Sequence, residues 1–201
     1  MRNKAFHPAT IIATVFWLGK IPFMPGTIGS IIAFPMWFLL AFGAIIRGYQ
    51  GYFAGNVEVL NLSLFVICLL FVLGTWASDT YEKLYDTHDP GEVIIDEVVA
   101  QMLIITLSVF LLPMLFYDRI KLFDSLNLKT SLIFHLTLLC NFIYFRIFDI
   151  IKPWPIKLVE KKIKGGIGIM LDDIAAVPFS LILSLCSVDM FIEIMLWLYR
   201  V

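Results

Sequence analysis

Three stretches of this 201-residue chain run for 20 residues or more without a charged side chain: Ile21 to Ile46, Val59 to Ser78 and Val98 to Tyr117. A helix needs about 20 apolar residues to cross the hydrocarbon core of a bilayer, so each is long enough to span. Two shorter charge-free stretches follow, Thr130 to Phe145 and Ile174 to Val188. These cross if their ends continue as polar helix or pack against neighbours. The tail Met190 to Tyr199 is broken only by Glu193 and either extends the fifth helix or lies along the surface. Strands of a membrane barrel would be about 10 residues long with alternating polarity, a pattern these runs lack. The expected fold is therefore all-α: a multi-pass membrane bundle of four to five apolar helices, forming one domain over residues 1–201.

Composition agrees. The chain is 60% hydrophobic and 15% charged, against roughly half and a quarter in soluble domains. That excess has to face lipid. The net charge of −1 and the lack of a basic face argue against a nucleic-acid partner. Cys68, Cys140 and Cys186 lie in separate apolar stretches without CxxC spacing and read as small hydrophobes. The N-terminus, Met1 to Gly19, has basic residues and a short apolar run, but no A-x-A-like cleavage site follows. It is expected to be a retained, partly interfacial helix.

With five crossings, the side receiving Lys20, Lys83 and the Arg146–Lys164 loop collects ten Lys and Arg, and the other side five. The richer side is predicted to be cytoplasmic. The same assignment gathers three polar, turn-rich segments on one face: Lys20 to Ser30, Asp79 to Glu97, and Arg146 to Asp173.

Within the first, Pro22, Pro25, Gly26 and Gly29 precede or open a helix. Glycine permits close backbone approach, and a helix N-terminus offers N–H groups to an anion. Thr27 or Ser30 can cap it, and Lys20 adds positive charge. A plain turn entering a membrane helix is the alternative. The second segment holds seven carboxylates and one lysine in 19 residues, ending in Asp96-Glu97. Such crowding favours a hard divalent cation with oxygen ligands. A solvated acidic loop, with acids favoured by a helix dipole, is the alternative. His88 lies in this loop as a possible ligand or acid. His7 and His135 read as satisfied polar groups.

The third segment places Arg146, Asp149 and Lys152 at successive i, i+3 positions, so one helix face carries two cations and a carboxylate. They could grip a phosphate, or form a structural Arg–Asp pair on a positive flank. The fourth, Lys164 to Asp173, is glycine-rich and ends in paired aspartates. Adjacent acids beside a membrane are costly without a partner, and metal ligation would account for them.

Four segments in order resemble the phosphatidylglycerophosphatase A family. They are Pro25-Gly26-Thr27-Ile28-Gly29-Ser30; His88-Asp89 with Asp96-Glu97; Phe145 to Ile156 (FRIFDIIKPWPI); and Gly165 to Asp173 (GGIGIMLDD). Each alone is weak, but together they cover Gly19 to about Ala176. The chain departs from the family pattern at Ala100 and Val177, where small glycines are usual, and both are helix-packing positions. The resemblance implies a Mg²⁺-dependent membrane enzyme. It would hydrolyse the terminal phosphomonoester of phosphatidylglycerophosphate to phosphatidylglycerol and phosphate, in phosphatidylglycerol and cardiolipin synthesis.

Under that reading Asp96, Glu97, Asp172 and Asp173 hold one or two Mg²⁺ ions, with Asp89 or one of these acids as general base. Lys20, Gly26, Thr27, Ser30, Arg146 and Lys152 bind the phosphate of the anionic phospholipid. A metal flanked by cations resolves a conflict, because bare carboxylates would repel the headgroup. The alternatives are a phosphatase for another lipid phosphate, such as a polyprenyl phosphate, and a small membrane transporter. Transporters place ionisable groups near the bilayer midplane, whereas here acids gather at helix ends.

Overall fold

The computed structural model describes residues 4–46, 57–125 and 130–199. Arg2, Arg47, Lys129 and Arg200, which enter the charge count, lie outside them. Seven helices follow in order: α1 (Pro8–Ala13), α2 (Pro25–Ile46), α3 (Val57–Tyr85), α4 (Ile95–Ser125), α5 (Thr130–Ile151), α6 (Ile156–Lys162) and α7 (Gly165–Leu198). Among the described residues there is no strand. Five of the helices, α2, α3, α4, α5 and α7, are long and apolar enough to cross a membrane.

The helices outrun the charge-free stretches. α3 continues past Ser78 to Tyr85, and α7 begins at Gly165, nine residues before Ile174. At the start of α7 the polar residues Asp172 and Asp173 are buried, whereas the α3 extension carries an exposed Asp79–Lys83 pair at i, i+4 that supports the helix. Thr130–Ile151 and Gly165–Leu198 thereby reach spanning length, and the tail after Met190 extends the fifth crossing as one continuous helix.

α4 is the centre of the bundle and the most buried of the five. It packs most extensively on α7, with α2 and α3 against its other sides; α5 lies against α7. Ala100 and Val177 are both buried in one cluster with Ile104, Phe145 and Ile156, which places them at the α4–α7–α5 junction. At the end away from the acidic segments, Leu112, Phe123, Ile133, Val188 and Ile192 close the core. There Arg119 pairs with Asp189 and, at 3.0 Å, with Glu193.

The N-terminal segment contains a helix of only six residues, α1, seated on α3 with Ala9, Thr10 and Ala13 buried. Val15, Phe16 and Trp17 follow with φ of 47°, 55° and 65°. Three left-handed non-glycine residues in a row cost about 1–2 kcal/mol each. Trp17 helps hold them: its Nε1 donates to the Ala5 carbonyl at 2.8 Å and its backbone N–H to Thr14 Oγ1 at 3.1 Å. The Ile94 N–H then donates to the Ala13 carbonyl at 2.9 Å. That bond ties the N-terminal segment to the residue preceding α4. Phe6, Phe16 and Phe23 remain exposed beside it, as expected of chain at a membrane–water interface.

Candidate active site

Alternating crossings bring five helix ends together: the starts of α2, α4 and α7 and the ends of α3 and α5. The acidic, basic and glycine-rich segments all sit at this end.

Asp96 and Glu97 occupy the first turn of α4. Asp173 projects from the third turn of α7. One oxygen from each of the three carboxylates lies within 4.8 Å of the other two. Asp96 is 9% exposed and Asp173 4%. Asp96 Oδ1, Glu97 Oε2 and Asp173 Oδ2 are buried and accept no hydrogen bond from the protein. Two carboxylate charges about 4 Å apart repel by roughly 4 kcal/mol at an effective dielectric of 20. Three of them crowded together, each with an unpartnered buried oxygen, suit a hard divalent cation. The residues present fit such an ion.

Asp172 and Asp173 do different things. Successive residues on a helix point about 100° apart. Asp173 therefore joins the trio while the Asp172 carboxylate accepts from the Lys152 ammonium at the end of α5. Of the four acids expected as ligands, three converge and the fourth anchors a lysine. Arg146 Nη1 lies 2.7 Å from Asp149 Oδ2, both mostly buried. Asp149 and Asp173 face one cavity, which sets this face of α5 beside the trio.

Gly26 explains the start of α2. A Cβ there would stand 2.3 Å from Glu97 Oε1 and about 3.1 Å from the Arg146 guanidinium. Only glycine lets α2 touch both groups. Gly166 plays the same part between α7 and α3, where a Cβ would meet the Thr75 carbonyl at 2.0 Å.

A cavity of about 320 Å³ opens beside the trio. That is at the lower end of small-molecule sites, enough for a headgroup. Asp89, Asp149, Lys152, Lys164 and Asp172 line it together with Asp96, Glu97 and Asp173. Asp89 stands at its exposed rim with φ of 48°. Its N–H donates to Glu82 Oε1 at 2.8 Å, and His88 Nδ1 lies 2.9 Å from the same oxygen.

Of the six expected phosphate binders, Lys152 alone lines the cavity; Gly26 packs against Glu97 and Arg146, and the others lie elsewhere. Lys20 is 3.6 Å from Glu92 and 3.4 Å from the Tyr85 hydroxyl, above the stacked rings of Tyr81 and Tyr85, and does not line the cavity. Ser30 is fully buried and donates to the Gly26 carbonyl at 3.1 Å. Thr27 follows Gly26 in the first turn of α2, half-buried. Two acidic or basic cavity residues were absent from the expected set, Asp149 and Lys164. The i, i+3 spacing with Arg146 was the available signal for Asp149. For Lys164 it was the position immediately before the glycine-rich start of α7.

A membrane bundle with a carboxylate-rich chamber at one end, wide enough for a headgroup and suited to a divalent cation, belongs to the class of integral membrane enzymes that act on anionic lipids. The chain is a member of the phosphatidylglycerophosphatase A family, whose model matches residues 11–188; it is a membrane phosphatase. It is 29% identical to phosphatidylglycerophosphatase A of Escherichia coli, over 87% of this chain and 80% of that protein. It is 30% identical to a putative phosphatidylinositol-3-phosphatase of Bacteroides thetaiotaomicron, over 91% and 94% respectively. Identity to phosphatidylglycerophosphatase A of Haemophilus influenzae is 27%, over 88% and 86%. No solved structure matches the chain.

Proposed function

We propose that this protein hydrolyses the terminal phosphomonoester of phosphatidylglycerophosphate to phosphatidylglycerol and inorganic phosphate, serving phosphatidylglycerol and cardiolipin synthesis. The observation that carries the reading is the convergence of Asp96, Glu97 and Asp173 at the wall of a headgroup-sized cavity. The names of the Escherichia coli and Haemophilus influenzae relatives support the substrate. The excess of Lys and Arg on the site's side supports a site facing the cytoplasm across the inner membrane.

Asp96, Glu97 and Asp173 would hold Mg²⁺, which when bound neutralises phosphoryl oxygens and lowers the pKa of a coordinated water. The protein supplies the rest. Arg146, fixed by Asp149 and pressed against Gly26, directs a planar guanidinium toward the α2 N-terminus, a place for developing negative charge. Lys152, held by Asp172, puts a second cation on the cavity wall. Asp89 and Asp149 line the cavity outside the trio and are placed to take the proton of the attacking water. Water attacks phosphorus, the bond to the glycerol oxygen breaks, and that oxygen takes up a proton.

The Bacteroides thetaiotaomicron relative supports a second substrate, a 3-phosphorylated phosphatidylinositol. A transporter draws no support from a family of phosphatases. The test is phosphate release by purified protein in neutral detergent. Phosphatidylglycerophosphate, phosphatidylinositol 3-phosphate and a polyprenyl phosphate are compared at matched surface concentration. Phosphatidylglycerophosphate is expected to give the highest kcat/KM, by about tenfold or more, a difference of about 1.4 kcal/mol in transition-state binding. A higher value for either rival would replace the substrate.

A further inference from the structure

Four cations stand near this chamber, and three are neutralised by a carboxylate: Lys152 by Asp172, Arg146 by Asp149 and Lys20 by Glu92. Lys164 differs. It is exposed, lines the cavity, and has no carboxylate within ion-pair distance among the described side chains. Six carboxylates line the same cavity, and Lys164 is in direct ion-pair contact with none of them.

Its position along α7 is informative. Lys164 precedes Gly165, while Asp173 lies nine residues further into the chain. At 1.5 Å per residue the two are about 13 Å apart along the helix axis. The long lysine side chain shortens that separation. The Lys164 backbone is thus set apart from the trio along the helix axis while its residue lines the same cavity, an arrangement that suits a second anionic group on the same molecule. The substrate read above has one: a phosphodiester separated from the terminal phosphate by a three-carbon glycerol. A cavity of about 320 Å³ accommodates both ends of such a headgroup.

We infer that Lys164 is the specificity-determining contact for the lipid's phosphodiester, selecting a headgroup with two phosphates over one with a single phosphomonoester. The inference rests on the proposed function. Its rival is a general basic surface, because Lys157, Lys161 and Lys162 are also exposed on neighbouring α6 and would attract any anionic lipid. Those three do not line the cavity.

The experiment separates these sources. In neutral-detergent micelles, kcat and KM for phosphatidylglycerophosphate are measured alongside the inhibition constant of phosphatidic acid, which has only the phosphomonoester. Wild type, Lys164→Met, Lys164→Arg and Lys162→Met are compared. A charge-assisted contact of this kind corresponds to about a tenfold rise in KM for Lys164→Met. The expected pattern is that rise with kcat and the phosphatidic acid constant within about twofold of wild type, restored KM in Lys164→Arg, and no change in Lys162→Met. An unchanged KM, a loss in kcat alone, or equal weakening toward both lipids overturns the assignment. Equal weakening in Lys162→Met assigns the effect to surface charge and overturns it too. Wild-type protein that releases no phosphate would instead overturn the proposed function, and this inference with it.

Discussion

Lys152, at the end of α5, pairs with Asp172, on the third turn of α7, and this contact separates the two neighbouring aspartates by role. Asp172 is 9% exposed at its side chain and has its charge answered by an ammonium; Asp173 faces the trio. Removing one partner of such a buried pair leaves the other charge uncompensated, at a cost of about 3–5 kcal/mol. Lys152→Met and Asp172→Asn should each lower kcat/KM strongly. The double variant should lose far less than the product of the two, with a coupling of about 1–3 kcal/mol. Additive losses in a double-mutant cycle would show that the pair does not act as a unit.

Gly26 and Ser30 give opposite expectations although they share a motif. Gly26→Ala places a methyl group 2.3 Å from Glu97 Oε1 and against Arg146. A displacement of about 1 Å in a catalytic group is worth about a hundredfold in rate, and a loss of that order is expected. Ser30→Ala removes only a bond to the carbonyl one turn back and should keep activity within about threefold, a stability-scale effect of a single helix back-bond. Steady-state kinetics on folded, monodisperse protein check both. Equal losses would mean that Ser30 reaches substrate.

The acids divide in the same manner. Asp149→Asn breaks the 2.7 Å pair with Arg146 at the cavity beside the trio. It is expected to weaken Mg²⁺ affinity about 10–100-fold, as outer-shell changes do. Asp89→Asn, at the exposed rim, should leave Mg²⁺ affinity unchanged and act on kcat alone. Isothermal titration with Mg²⁺ distinguishes them. An Asp89→Asn variant that binds Mg²⁺ more weakly would place that residue among the ligands.

Topology has its own test. In a cysteine-free background, Lys161→Cys on α6 should react with an impermeant maleimide from the cytoplasmic face only, and Asp118→Cys near the end of α4 from the opposite face only. The reverse pattern would invert the orientation read from the Lys and Arg count.

The five long apolar helices were legible as charge-free runs because a helix surface that faces lipid excludes charge. Their ends were not, since α3 runs on through Asp79 and Glu82, and α7 through the buried Asp172 and Asp173. The gathering of the polar loops at one end was legible from the crossing number alone. Which acid does what was not. Asp172 and Asp173 are indistinguishable in sequence, and their roles separate only when α5 brings Lys152 beside one of them. Lys20 carries the right charge in the right loop, yet Glu92, Tyr81 and Tyr85 hold it outside the cavity. Asp149 read equally well as a structural partner of Arg146, and the structure shows it pairing with Arg146 while also lining the cavity.

The central claim, that Asp96, Glu97 and Asp173 form a divalent-cation site required for phosphoryl hydrolysis, is tested most directly by Mg²⁺ titration of phosphate release from phosphatidylglycerophosphate. Wild type is compared with Glu97→Gln and Asp173→Asn after treatment with a chelator. The account predicts no release from chelated wild type, saturable recovery on adding Mg²⁺, and loss of at least about a hundredfold in both variants at Mg²⁺ levels that saturate wild type. Full activity in chelator, or wild-type turnover by either variant, would contradict it.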